Sequence, residues 1–364
     1  MKTVFHVVGA RPNFMKAAPL IAALEKYDHI DQKLVHTGQH YDHNMSKVFF
    51  DELGIPKPDY SLEVGSGSHA QQTAAIMLKF EELATEHAID LLIVYGDVNS
   101  TIATALVAAK QGIPIAHMEA GLRSFDHDMP EEINRILTDR ISNLYFTPSR
   151  DGNENLSKEG VDADKIHLVG NVMIDTLARL LPQAKAPSEL AEQFAASSEG
   201  YALVTLHRPS NVDEPNMLKD IVDSLNRISQ HTHILFPVHP RTRARMETLN
   251  LAPENPERFH LMEPAGYLNF IWLQQHARVV LTDSGGVQEE STYLQVPCLT
   301  LRANTERPIT CTSGTNKLIG QDLALFESET LDILNGKERK CQIPELWDGK
   351  TGERTADIIS RYLQ

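Results

Sequence analysis

The stretch Asp283-Ser-Gly-Gly-Val-Gln-Glu-Glu-Ser291 follows an apolar run, Val279–Leu281. Strand, tight turn and helix start together make an anion site, because unpaired backbone N–H groups face outward there. Ser284, Gly285 and Gly286 would form that turn, the glycines letting a large group approach the backbone. Glu289 and Glu290 would repel an anion, so they need another task or must point elsewhere. A second candidate anion site is Gly9-Ala-Arg-Pro-Asn-Phe-Met-Lys16, where Arg11 and Lys16 lie near a helix N-terminus opened by proline. Three carboxylates follow apolar runs or open a helix: Asp97 after Leu91–Tyr95, Glu119 after Ile113–Met118, and Glu131 in Met129-Pro-Glu-Glu-Ile-Asn-Arg135. His207 with Arg208, and His239 with Arg241, end two further apolar runs. Carboxylates and histidines at strand ends suit proton transfer, and clustered cations suit a phosphate.

Each residue also has a bland reading. Arg11 and Lys16 can be solvated cations. Asp97 can cap a helix, and Glu131 can complement a helix N-terminus. Either histidine can be a structural hydrogen-bonder. Glu119 is harder to dismiss, since a carboxylate directly after a buried strand needs a partner, and Arg123 is a candidate. No GxGxxG, Walker or HExxH spacing occurs, so no redox cofactor, ATP or metal is expected.

The elements that must position these residues follow from the pattern. Val4–Val8, Leu91–Tyr95, Ile113–His117 and Leu144–Phe146 read as buried strands, with helices over Phe14–Lys26, His69–Glu86 and Thr101–Gln111 between them. A second cycle has strands at Ala202–Thr205, His233–Pro237, Arg258–Leu261, Val279–Thr282 and Cys298–Leu301, and helices at Pro215–Ser229, Gly266–His276 and Val287–Leu294. Strands apolar on both faces and linked by helices imply α/β architecture with parallel sheets. We expect residues 1–172 to form an N-terminal Rossmann-like domain and 173–352 a second one. The final helix, 353–364, has Ala356, Ile359 and Leu363 at helical spacing and is expected to pack back on the first domain. Open α/β sheets bind ligands beyond the carboxyl ends of their strands, where the polar residues above gather.

The bulk numbers narrow the partners. The chain has 364 residues, 41% hydrophobic and 23% charged, as an ordinary globular protein does. A net charge of −15, from 34 basic and 49 acidic residues, argues against nucleic acid and acidic membranes. Cys298, Cys311 and Cys341 lack metal-ligand spacing and read as reduced thiols of a cytoplasmic protein. The N-terminal apolar run reads as a strand, and no apolar stretch has the ~18 residues of a membrane helix.

In order, GARPNFMK, TGQHYD, YGDVNST, HMEAGLRS, PEEINR, HR, DSGGVQEE and TERP make the chain resemble the non-hydrolysing UDP-N-acetylglucosamine 2-epimerases over essentially its whole length. That resemblance implies two Rossmann-like domains facing a central cleft, a GT-B-like arrangement. It further implies no added cofactor, a UDP-sugar as the partner, and a homodimer. The implied reaction interconverts UDP-GlcNAc and UDP-ManNAc. By motif position, Ser284, Gly285 and Gly286 hold the diphosphate and Glu290 the ribose hydroxyls, while Glu289 reads as structural. Phe270 lies against uracil; Arg11, Lys16 and Arg307 serve the phosphates or leaving group, and His239 joins the substrate-binding set. Asp97, Glu119, Glu131 and His207 match the catalytic set, with Asp97 and Glu131 leading for proton transfer at C2.

Three departures stand out. Tyr41 follows Gln39-His40 where well-known bacterial members place an arginine in a segment used for allosteric activation. The histidine segment reads HRPSNVD rather than HRRE, and Ile309 follows TERP rather than Glu. These leave open a modified sugar of the diacetamido-uronate type. A hydrolysing epimerase, a glycosyltransferase and a non-catalytic nucleotide-sugar sensor are the rival readings.

Overall fold

The computed structural model describes residues 1–38, 54, 56–337 and 340–364. The Gln39-His40-Tyr41 segment lies outside them. The chain divides into two units, Met1–Arg179 with Glu345–Gln364, and Leu180–Pro344. Among the described residues no helix is long and apolar enough to cross a membrane.

The first unit is built on a parallel sheet of β1 (Lys2–Val8), β2 (Ile30–His36), β3 (Tyr60–Ser61), β4 (Leu91–Tyr95), β5 (Ile115–Met118), β6 (Leu144–Thr147) and β7 (Ile166–Leu168). Its strand order is β3-β2-β1-β4-β5-β6-β7. Every residue of β4 is buried, as an all-apolar Leu-Leu-Ile-Val-Tyr run covered on both faces requires. The order reverses between β1 and β4, which pair in register from Val4↔Leu91 to Val7↔Val94. Crossovers leave this junction in opposite directions, and the crevice there lies beyond the ends of β1 and β4.

The second unit repeats the plan with β8 (Tyr201–Thr205), β9 (His233–Pro237), β10 (Phe259–Met262), β11 (Val279–Thr282), β12 (Cys298–Thr300) and β13 (Asn316–Leu318), ordered β10-β9-β8-β11-β12-β13. Alternate residues of β8 feed opposite faces. Ala202 and Val204 join one apolar cluster with Phe236, Leu281 and Phe326. Tyr201 and Leu203 join another with Leu235, Leu273 and Val280. The order reverses between β8 and β11, so the equivalent crevice lies beyond Thr205 and Thr282.

The domain boundary needs correcting. The helix Val172–Leu180 belongs almost wholly to the first unit, and so do residues 345–352. The reason is a set of buried hydrogen bonds. Asp175 accepts from the amides of Thr351 at 3.0 Å and Gly352 at 2.7 Å. The Thr176 hydroxyl donates to the Met15 carbonyl, and the Trp347 indole to Pro148 O. The C-terminal helix, Thr351–Tyr362, then lies against the helix Arg11–Leu24. Gly352 permits this approach, because a Cβ there would stand 2.8 Å from the Pro19 carbonyl oxygen.

Candidate active site

In the first unit the candidate residues collect at the β1/β4 junction. Ala10 N-caps the helix Arg11–Leu24 and offers no side-chain acceptor. Asn13 compensates: its Oδ1 accepts from the amides of Gly9 (3.2 Å) and Ala10 (3.1 Å), and its Nδ2 donates to the Tyr95 carbonyl. The ends of β1 and β4 are thereby tied together. Gly9 is required here, since a Cβ would stand 2.0 Å from the Ser100 hydroxyl oxygen.

Lys16 is not a solvated cation. It is 6% exposed, and its Nζ lies 2.6 Å from Glu119 Oε2, itself on a residue 6% exposed. Glu119's partner is thus Lys16, not Arg123. Arg123 instead pairs with Asp139 at 2.7 Å and with Glu159 at 2.8 Å. Burial pushes the Asp139 carboxyl up, but His117 and Arg123 outweigh it and hold the group below its usual range. His117 in turn reaches the Gly96 carbonyl at 2.8 Å, bracing the turn that carries Asp97.

Glu119 has φ +73°, a left-handed backbone that costs a non-glycine residue of order 1–3 kcal/mol. That strain is held in place by its amide, which donates to Phe146 O at 3.0 Å, and by the ion pair with Lys16. Asp97 pairs with Arg135 at 2.6 Å. Arg135 projects from the helix Pro130–Ile141, which carries Glu131 in its first turn. Asn134 of that helix also donates to the Asp97 carbonyl. Arg135 also pairs at 2.6 Å with Glu132, whose two oxygens accept from the Ser124 and Phe125 amides. Glu131 is half-buried and Arg11 is exposed. Asp97, Glu119, Lys16 and the helix of Glu131 therefore lie at one end of one sheet.

In the second unit Ser284 N-caps the helix Gly285–Leu294 without a side-chain cap bond. A Cβ on Gly286 would meet nothing within 4 Å, so the helix start is open on that side. On Gly285 it would stand 2.7 Å from an Arg307 nitrogen, so glycine there lets the guanidinium lie over the helix start. Glu289, far from repelling an anion at this point, holds Arg307 by its Nε at 2.7 Å. Glu306 takes another Arg307 nitrogen and also Arg302, at 2.9 Å. Glu290 turns the other way, accepting from Tyr267 at 2.8 Å and Gln274 at 2.6 Å. Phe270, half-buried, sits on the same helix, Tyr267–His276.

His207 lies past the end of β8 with its Nδ1 3.0 Å from Asp283. Asp283 is fully buried and also accepts from the amides of His207 and Arg208 and from Asn211. Burial pushes its carboxyl up, yet these hydrogen bonds prevail and hold it low. The rings of His207 and His239 are 6.2 Å apart. His239 caps its own helix by accepting from the Arg241 amide; burial first, then His207 and Arg241, hold its imidazole below the usual range. Arg241 itself is engaged by Asp213.

Several partners escaped the sequence reading. Arg135 stands four residues beyond Glu131, on the same helical face, and Glu306 immediately precedes Arg307. Asp283, Tyr267 and Gln274 gave no sequence signal of their own roles.

Two parallel sheets, each with a constellation at its switch point, can be set beside known proteins. The family model described as UDP-N-acetylglucosamine 2-epimerase matches residues 22–360. The UDP-N-acetylglucosamine 2-epimerase of Methanocaldococcus jannaschii is 42% identical over 97% of this chain and 98% of its own. The UDP-2,3-diacetamido-2,3-dideoxy-D-glucuronate 2-epimerase of Pseudomonas aeruginosa is 45% identical over 87% of this chain and 88% of its own. A crystal structure of the M. jannaschii UDP-GlcNAc 2-epimerase in complex with UDP-GlcNAc and UDP superposes with a TM-score of 0.87 at 43% identity, covering 99% of this chain and all of that one. With relatives matched over nearly their full lengths, this chain belongs to the UDP-N-acetylglucosamine 2-epimerase family.

Proposed function

We propose that the protein reversibly converts UDP-N-acetylglucosamine to UDP-N-acetylmannosamine, without hydrolysis, by eliminating UDP and adding it back. The C2 hydrogen of the sugar is not beside a carbonyl, so it becomes acidic only as the C1–O bond breaks. The electron pair of that bond leaves with UDP, a carboxylate takes the C2 proton, and 2-acetamidoglucal forms with a C1=C2 double bond. Protonation of C2 on the opposite face, with UDP oxygen attacking C1, completes the inversion.

The observation that carries this reading is the pair of carboxylates at one sheet end, Asp97 and Glu119, each held against a buried cation beside the helix whose first turn carries Glu131. Nucleotide transfer alone has no use for so many. We assign Asp97 and Glu131 to proton transfer on the two faces of C2, each step contributing about 10²–10⁴-fold. Glu119, fixed by Lys16, orients the site or stabilises charge. Ser284, Gly285, Gly286, Arg11, Lys16 and Arg307 hold the diphosphate and stabilise it as it departs. His207, oriented by Asp283, assists that departure, and His239 helps bind the substrate. Glu290 takes the ribose hydroxyls and Phe270 the uracil. The protein acts as a cytoplasmic homodimer and supplies cell-surface polysaccharide synthesis.

A second reading, a modified sugar of the diacetamido-uronate type, is favoured by the 45% identical P. aeruginosa relative. Incubation of UDP-GlcNAc in heavy water, followed by NMR and mass spectrometry, tests both. Deuterium at C2 together with UDP-ManNAc supports the first reading. Turnover of the diacetamido-uronate sugar alone selects the second. Unlabelled substrate in both cases, or free ManNAc as the only product, refutes the mechanism.

A further inference from the structure

The helix Tyr267–His276 presents three side chains on one face: Tyr267, Phe270 and Gln274, spaced three and then four residues apart. Two of them reach the same target. The Tyr267 hydroxyl donates to Glu290 Oε1 at 2.8 Å, and the Gln274 amide donates to Glu290 Oε2 at 2.6 Å. Glu290 is 4% exposed and Gln274 is fully buried. Each oxygen of one buried carboxylate is thus held by its own donor, which fixes the plane of the group.

Gln274 pays for this contact elsewhere. Only its NH₂ end can face a carboxylate, so Oε1 must point away. That atom is buried and has no hydrogen-bond partner among the described residues. An orphaned buried carbonyl destabilises a fold, and an apolar side chain of similar volume would fill the space without it. Packing therefore does not explain glutamine at this position, whereas the grip on Glu290 does.

We propose that Tyr267 and Gln274 are positioning residues that orient Glu290 to accept hydrogen bonds from both vicinal ribose hydroxyls of a uridine diphosphate ligand. They thereby set a preference for the ribonucleotide over the deoxyribonucleotide. The inference rests on the role given to Glu290 under Proposed function. A site built to pair with a hydroxyl rejects the analogue lacking it, because its own buried acceptor is then left unsatisfied. That rejection requires the acceptor to be rigid. A carboxylate free to swing would turn to another donor and lose the distinction.

Calorimetric titration of the full chain with UDP and with 2′-deoxy-UDP tests this, comparing the unaltered protein with Y267F and Q274M. The unaltered protein is expected to prefer UDP by about tenfold or more. Each variant should weaken UDP binding by about fivefold or more and 2′-deoxy-UDP, which keeps the 3′-hydroxyl, by clearly less, so that the preference falls toward unity. Q274M also strips a donor from the buried Glu290 carboxylate, so its melting temperature does not separate the two roles; the ratio of UDP to 2′-deoxy-UDP affinity does, since a purely structural role leaves that ratio unchanged. A preference unchanged in both variants overturns the proposal, as does an unaltered protein that binds UDP and 2′-deoxy-UDP equally. Failure of the unaltered protein to bind UDP at all would instead refute the nucleotide reading beneath it. Y267F keeps the test decisive should Q274M fail to fold, since it removes one oxygen from a half-buried ring.

Discussion

Replacing Lys16 with methionine should destabilise the first unit more than any substitution at an exposed lysine. Nζ and Oε2 are 2.6 Å apart, and both residues are 6% exposed. At an effective dielectric of about 20, unit charges at that separation attract by roughly 6 kcal/mol before desolvation is subtracted. Breaking a buried pair by removing one partner costs about 3–5 kcal/mol, because the other charge is stranded. Glu119 is 6% exposed, so its carboxylate remains buried when the cation is removed. K16M should therefore lower the first unit's unfolding free energy by about 3–5 kcal/mol at neutral pH. The double variant K16M/E119Q should recover most of that loss, because no charge is left unpaired. Urea unfolding of the single and double variants, followed by hydrogen exchange at amides of β4 and β5, gives the coupling directly. If K16M costs less than about 1 kcal/mol, or the double variant is no more stable than K16M, the pair is solvated and its buried role is wrong.

Two further predictions concern acid stability and the anion cradle. Burial lowers the His6 imidazole from 6.5 to about 4, the hydrogen bond to Gln32 opposing, so the folded protein binds this proton less readily than the unfolded chain. His6 therefore contributes its full stability above about pH 6.5 and loses it as pH falls toward 4, on the order of 3 kcal/mol in all; H6Q should flatten unfolding curves in that window, and an unchanged slope would refute the assignment. At the Ser284–Gly286 turn, G285A drives a methyl group into Arg307 and Glu306, and so should lower both the melting temperature and UDP affinity. G286A meets only open space in the protein, so it should weaken UDP binding by about tenfold or more without changing the melting temperature; equal effects on both measurements in the two variants would contradict the open helix start.

The alternation of strands and helices was legible wherever strands were apolar on both faces, as in Leu91–Tyr95 and Val279–Thr282. β2 was missed because its first half, Ile30-Asp-Gln-Lys33, is polar and only partly buried. β3, β7 and β13 were missed because two- or three-residue edge strands carry almost no pattern. The domain boundary was misplaced for a related reason. Asp175 looks like any polar helix residue until the amides of Thr351 and Gly352 close on it. The candidate motifs themselves were readable, since their glycines, carboxylates and cations follow apolar runs. Their pairings were not. Lys16 meets Glu119, and Arg123 meets Asp139, only once the strand order is settled, and sequence proximity favoured the wrong arginine.

The return of residues 345–364 to the first unit has a consequence for synthesis. The second unit is an insertion, so the ribosome completes it while the first still lacks its last helix. At typical elongation rates the interval between Arg179 and Glu345 is roughly 10–30 s, far longer than helices and hairpins take to form. During that time the face of the helix Arg11–Leu24 awaiting its partner is open to water and to chaperones, and the carboxylate of Asp175 has no amides to hold it. The nascent first half must therefore persist as an incomplete intermediate until residues 345–364 emerge and close it.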